Sequence, residues 1–225
     1  MTTSTPALYD AKRAVFYAKP ALRGWLHLLW FAASLLCGTL LIRGAHGLAQ
    51  RTADVVYAAS VTALFGTSAL YHRGNWSRAW NRRLQRLDHV MIFFLIAGTA
   101  TPAFVVATHG GARAACLIAL WTITVTGAVI HLAWMHAPEI LVGAVFVGLG
   151  WSAGLALPFV WIHQGAVPGA LMIAGGVLYT AGAIAYHRRW PDPVPAVFGY
   201  HEVFHALIIV GCACHFVAVA RVVAS

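Results

Sequence analysis

His201 and His205 stand four residues apart, one helical turn, so both rings leave the same face of a helix. Ser68 and His72 share that spacing, and Asp88 immediately precedes an apolar run that begins at His89. Neutral imidazole is a favoured zinc ligand. Three of them with one open position are the protein half of a catalytic site, whereas structural zinc sites are closed by four protein ligands. A neighbouring carboxylate can orient a water at such a metal or accept its proton, and a hydroxyl can hydrogen-bond it. His72, His201 and His205 are therefore candidate metal ligands, with Asp88 and Ser68 as candidate catalytic partners. His131, His136 and His187 compete as ligands. His215 lies ten residues past His205, ~15 Å along a helix, too far to join the same ion, and is expected to hydrogen-bond a neighbouring helix. His27, His46, His109 and His163 sit near loops or ends and carry little signal.

These residues need elements to hold them. Of 225 residues, 60% are apolar and 9% charged, with mean hydropathy +0.75; soluble domains carry about 25% charged residues. That excludes a soluble domain, and with it disordered, collagen-like and coiled-coil classes. Runs free of Asp, Glu, Lys and Arg cover Gly24 to Ile42, Val55 to His72, His89 to Ala112, Ala114 to Pro138, Ile140 to His187 and Val203 to Ala220. A crossing needs ~20 residues, so the fifth run is too long for one, and Pro158, His163, Gln164, Gly165 and Pro168 divide it. Seven spans result. The runs do not alternate, which excludes a β-barrel. The expected architecture is an all-α integral membrane protein, a seven-transmembrane helix bundle over residues 24–225 behind a short basic tail over residues 1–23.

Basic residues assign the sides. Lys12, Arg13, Lys19, Arg23, Arg73, Arg78, Arg82, Arg83, Arg86, Arg188 and Arg189 fall on one face; Arg43, Arg51, Arg113 and Arg221 fall on the other. The positive-inside rule then predicts a cytoplasmic N-terminus and an outside C-terminus, opposite to G-protein-coupled receptors. With that topology His72 ends the second span at the cytoplasmic side, where Asp88, His201 and His205 begin the third and seventh. All four converge on one membrane depth, a check independent of their spacing.

Other features have plain readings. Cys37, Cys116, Cys212 and Cys214 lie in apolar stretches, where thiols pack as small hydrophobes. Gly150-x-x-x-Gly154 is expected to serve close packing within the bundle, and Pro102 and Pro158 are expected to kink their helices. The arginines from Arg73 to Arg86 read as a short connector setting topology and meeting anionic headgroups, without a nucleic-acid role. Trp76 and Trp80 read as interfacial belt residues.

Ser68-Ala-Leu-Tyr-His72, Leu87-Asp88-His89, the run Ile92 to Pro102, His201-Glu202-Val203-Phe204-His205 continuing through Gly211 to His215 and Phe216, and Gly175-Gly176-Val177-Leu178-Tyr179-Thr180 with Gly182 together resemble the hemolysin III family. That family is the bacterial branch of the progestin and adipoQ receptor family, within a superfamily that includes alkaline ceramidases. The resemblance implies a seven-helix bundle with a cytoplasmic N-terminus and zinc near the cytoplasmic face, held by His72, His201 and His205, with Ser68 and Asp88 close by. Receptor members carry a Glu and an Asn before the first span; here the segment reads Lys19-Pro20-Ala21-Leu22-Arg23-Gly24-Trp25-Leu26-His27, and only the His matches. With the short tail, no protein hormone is expected as partner.

The resemblance and the site together point to a zinc-dependent hydrolase of a lipid amide or ester at the inner leaflet of a bacterial plasma membrane. Asp88 would be general base and Ser68 a hydrogen-bonding partner, with membrane lipids as partners. The alternative is a non-enzymatic, receptor-like regulator of membrane lipid homeostasis, or a cytolytic pore or transporter, with structural zinc. Few charges lie in the outer half of the spans, which argues against a conducting path.

Overall fold

Seven helical segments are long and apolar enough to cross a bilayer. The computed structural model describes residues 8–10, 15–17, 19–134 and 136–223; Lys12 and Arg13 of the tail lie outside them. In chain order, a small antiparallel ribbon of β1 (Leu8–Asp10) and β2 (Val15–Tyr17), with Leu8 opposite Tyr17, precedes α1 (Trp25–Gly44), α2 (Gly47–Arg73), α3 (Arg78–Ala107) and α4 (Gly110–Ala133). Then follow α5 (Glu139–Ser152), a 3-10 turn (Ala153–Ala156), α6 (Leu157–Gln164), α7 (Ala166–Arg188) and α8 (Tyr200–Val223). The fifth crossing is composite, α5 and α6 joined by the 3-10 turn. Pro158 stands in the first turn of α6, where the missing N–H costs nothing.

The long apolar run divides at Gly165, whose φ of +93° ends α6 and opens α7. Pro102 lies inside α3, and the helix continues through it. Nearby, the Thr101 hydroxyl donates to the Ala97 carbonyl at 2.7 Å. The core follows α1, α2, α3 and α8: Leu41, Tyr57, Val61, Leu64, Phe65, Leu95, Cys212 and Val219 form one buried cluster.

Several helices overrun the apolar stretches. α2 starts at Gly47 and α3 at Arg78, so Arg78, Arg82, Arg83 and Arg86 ride the opening turns of α3; they do not form a connector. A long helix needs apolar residues only where it meets lipid or core, and its ends project beyond that zone with their charges exposed. The expected packing at Gly150 and Gly154 is also corrected: a Cβ at either would meet nothing within 4 Å. Close approach occurs elsewhere. A Cβ on Gly175 of α7 would lie 2.3 Å from the His215 ring on α8, and that ring is hydrogen-bonded through Nε2 to the Met172 carbonyl at 3.0 Å, the partnership expected for it.

Candidate metal centre

Three loose ends meet at one end of the bundle: the last turn of α2, the third turn of α3 and the first turn of α8. Their alignment starts with α8. Gly199 precedes its first residue, and Glu202, three residues on, accepts from the Gly199 N–H at 3.0 Å, the returning half of a capping box. Asp192 Oδ1 accepts from the Tyr200 N–H at 2.9 Å. These bonds satisfy amides that a helix start leaves unpaired, and they fix the rotation of the turn that carries His201 and His205.

The segment before α1 is tied to the same place. Ala21 and Leu22 donate through their amides to the Ala196 and Val197 carbonyls at 3.0 and 3.1 Å, and Arg23 forms a buried ion pair with Glu202. Gly24 follows in the left-handed region at φ +79°. A Cβ there would stand 2.8 Å from His72 Cβ, so only glycine lets the chain pass over the end of α2. The Arg73 stem covers Gly24, and its guanidinium lies 4.0 Å from the Trp25 ring centroid.

Inside this frame His72 and His205 are buried and His201 is half-buried, and one ligand-type nitrogen from each lies within 4.8 Å of the others. His72 Nε2 and His201 Nε2 are 3.3 Å apart. Two nitrogens bound to one tetrahedral zinc at ~2.05 Å would be separated by ~3.3 Å. Donor type and spacing both suit a zinc ion. Asp88 Oδ2 is 3.8 Å from His72 Nε2, and Ser68, 2% exposed, lies beside the Asp88 carboxylate.

The structure thus brings together all five residues singled out from spacing and topology. The competing histidines go elsewhere. The His131 ring lies 5.4 Å from that of His89 and 6.1 Å from that of Phe93, His136 is exposed in the connection after α4, and His187 lies in the last turn of α7. Among the described residues, the one group of His, Cys, Asp and Glu compact enough for a metal is His72, His201 and His205.

Sequence reasoning passed over two residues. His27, at the start of α1, is 3% exposed and stacks on His205 with ring centroids 3.7 Å apart. Near the start of the first apolar run, its position alone carries little signal. Asp54, fully buried on α2, gives one oxygen to Gln50 at 2.9 Å and leaves the other unpartnered. The apolar-run criterion began the second span one residue later, at Val55, and so set this carboxylate outside it.

Comparison with known proteins agrees with this architecture. The family model described as "Haemolysin-III related" matches residues 16–216. The chain is 26% identical over 164 residues to the hemolysin-3 homolog of Bacillus subtilis (strain 168), covering 73% of this chain and 74% of that protein. It is 27% identical over 175 residues to hemolysin-3 of Bacillus cereus, covering 77% of each. It is also 29% identical over 194 residues to heptahelical transmembrane protein ADIPOR2 of Oryza sativa subsp. japonica, covering 78% of this chain and 83% of that protein.

Proposed function

We propose that this chain, which belongs to the haemolysin-III-related family, is a zinc-dependent membrane hydrolase acting on an amide or ester bond of a lipid at the inner leaflet. The observation that carries the reading is the set of imidazoles converging within 4.8 Å with the Asp88 carboxylate 3.8 Å from one of them. Among the described residues three protein ligands converge, a set that would leave a bound zinc one position open, as catalytic sites require and structural ones do not. Bound zinc supplies a Lewis acid that brings water ionisation to near neutral pH and polarises a carbonyl oxygen.

The chain's own residues do the rest. Asp88 accepts a proton from the attacking water and returns it to the leaving amine or alcohol. Its side chain is 14% exposed, enough for proton exchange with solvent yet sheltered by the bundle. Ser68, beside the carboxylate, offers it a hydroxyl that favours one orientation. With the orientation that the positive-inside rule predicts, the first turns of α8 and the last of α2 meet the inner headgroup boundary, which suits a substrate that arrives by lateral diffusion.

The test is hydrolysis of lipid amides and esters by the purified protein in mixed micelles. Asp88→Asn is expected to slow turnover ~10²–10⁴-fold, the range for losing a general base, with metal content retained. Equal rates for wild type and Asp88→Asn would reject the mechanism. A purely structural ion is the competing reading, favoured by ligands that come from helices 129 residues apart in sequence. Under it, His205→Ala lowers thermal stability in proportion to metal lost, and no lipid is turned over.

A further inference from the structure

His27 touches both halves of the centre. Its Nδ1 is 2.8 Å from Ser68 Oγ, one face of its ring lies over His205 at an interplanar angle of 18°, and the Phe65 ring stands perpendicular to it at 4.8 Å. Its Nε2 is buried and has no hydrogen-bond partner. A neutral imidazole has two tautomers. A proton on Nε2 would leave a buried N–H with nothing to accept it, and orphaned N–H groups are rarer in proteins than under-satisfied acceptors. The proton therefore sits on Nδ1, where Ser68 Oγ accepts it. The Ser68 hydroxyl proton is then free to turn toward the Asp88 carboxylate beside it. The polar groups line up in one direction, from ring N–H to hydroxyl and on toward the carboxylate.

From this geometry we infer that His27 is the positioning residue of the centre. Its Nδ1–H fixes the Ser68 hydroxyl on the Asp88 side, while its ring face lies over the His205 ring. It does not ligate: the parallel stacking holds its ring plane alongside that of His205, with Nδ1 committed to Ser68. The purpose of this arrangement rests on the metal-centre reading, whereas the His27–Ser68 hydrogen bond itself does not.

Two substitutions separate its parts. His27→Phe keeps an aromatic ring over His205 and removes the donor. His27→Asn keeps an amide N–H near the place of Nδ1 and removes the stacked ring. In the purified full chain, zinc affinity measured against a competing chelator is expected to fall ~10–100-fold in His27→Phe, the range for groups that orient metal ligands. It is expected to fall comparably in Ser68→Ala, and no further in the double variant. His27→Asn should recover most of the loss. Additive losses in the double variant, or no recovery by Asn, would overturn the inference.

The same cycle is run on thermal unfolding after chelator treatment. There Ser68→Ala should lower the midpoint in the wild-type background and leave that of His27→Phe unchanged; additive shifts overturn the inference here too. A chain that takes up no zinc but shows this coupling refutes the metal-centre reading and leaves the role of His27 standing.

Discussion

One oxygen of Glu202 faces the Arg23 guanidinium and the other accepts from the Gly199 amide, so a single carboxylate sets the start of α8 and anchors the approach to α1. Removing one partner of a buried ion pair typically costs about 3–5 kcal/mol, because the other charge is left buried alone. Glu202→Gln should therefore lower unfolding stability in detergent by about that much, while Arg23→Met with Glu202→Met together should recover most of it. If the single and double variants are equally damaged, the pair is not what anchors this turn. Gly24→Ala should cost about 1–3 kcal/mol from its positive φ and push His72 aside, so that zinc affinity falls together with the melting temperature. Lys19 offers a pH test at the same place. Burial and the guanidiniums of Arg73 and Arg23 hold its ammonium below the ordinary lysine range. A base depressed on folding binds protons better when unfolded, so its penalty is full below the folded pKa and fades as pH rises toward the unfolded value. Lys19→Gln should raise the melting temperature slightly at neutral pH, with the gain shrinking as pH approaches ~10.

At the scale of the helix, α2 teaches most. Its final turns carry Ser68 and His72, readable from a spacing of four, while its opening eight residues, 47–54, were not legible because an apolar-run criterion stops at Asp54. Inside a bundle a carboxylate can be carried by one neighbour, here Gln50 one turn earlier. With the second oxygen unpartnered, Asp54→Asn keeps the shape and removes the cost of an unsatisfied charged group; stability should hold or rise by up to about 1–3 kcal/mol. A clear fall on thermal unfolding would mean that the ionised form is needed. His27 escaped for a different reason. Its contacts with Ser68 and His205 cross between helices, and no periodicity within α1 encodes them. The bonding of Glu202 back to Gly199, by contrast, follows a capping pattern that a reading focused on histidines did not use.

For the whole molecule, seven crossings were legible because lipid leaves little freedom: each span must be apolar and helical, and Gly165 marks the division of the longest run. Orientation rests on the asymmetry of lysines and arginines alone, with Arg73 to Arg86 as its largest block. It predicts that a reporter active only in the cytoplasm works when fused at the N-terminus and fails at the C-terminus; the reverse pattern would invert the inferred leaflet of the site. The joining of His72 to His201 and His205 was legible only by combining spacing with topology, since helices that meet in space can be far apart in sequence. The most direct measurement is divalent-metal analysis of the chain purified without added metal, for wild type beside His72→Ala and His205→Ala. The account predicts about one zinc per chain in wild type and far less in both variants, as expected for a three-ligand site that loses a ligand. Wild-type protein without stoichiometric metal, or variants that keep it in full, would contradict it.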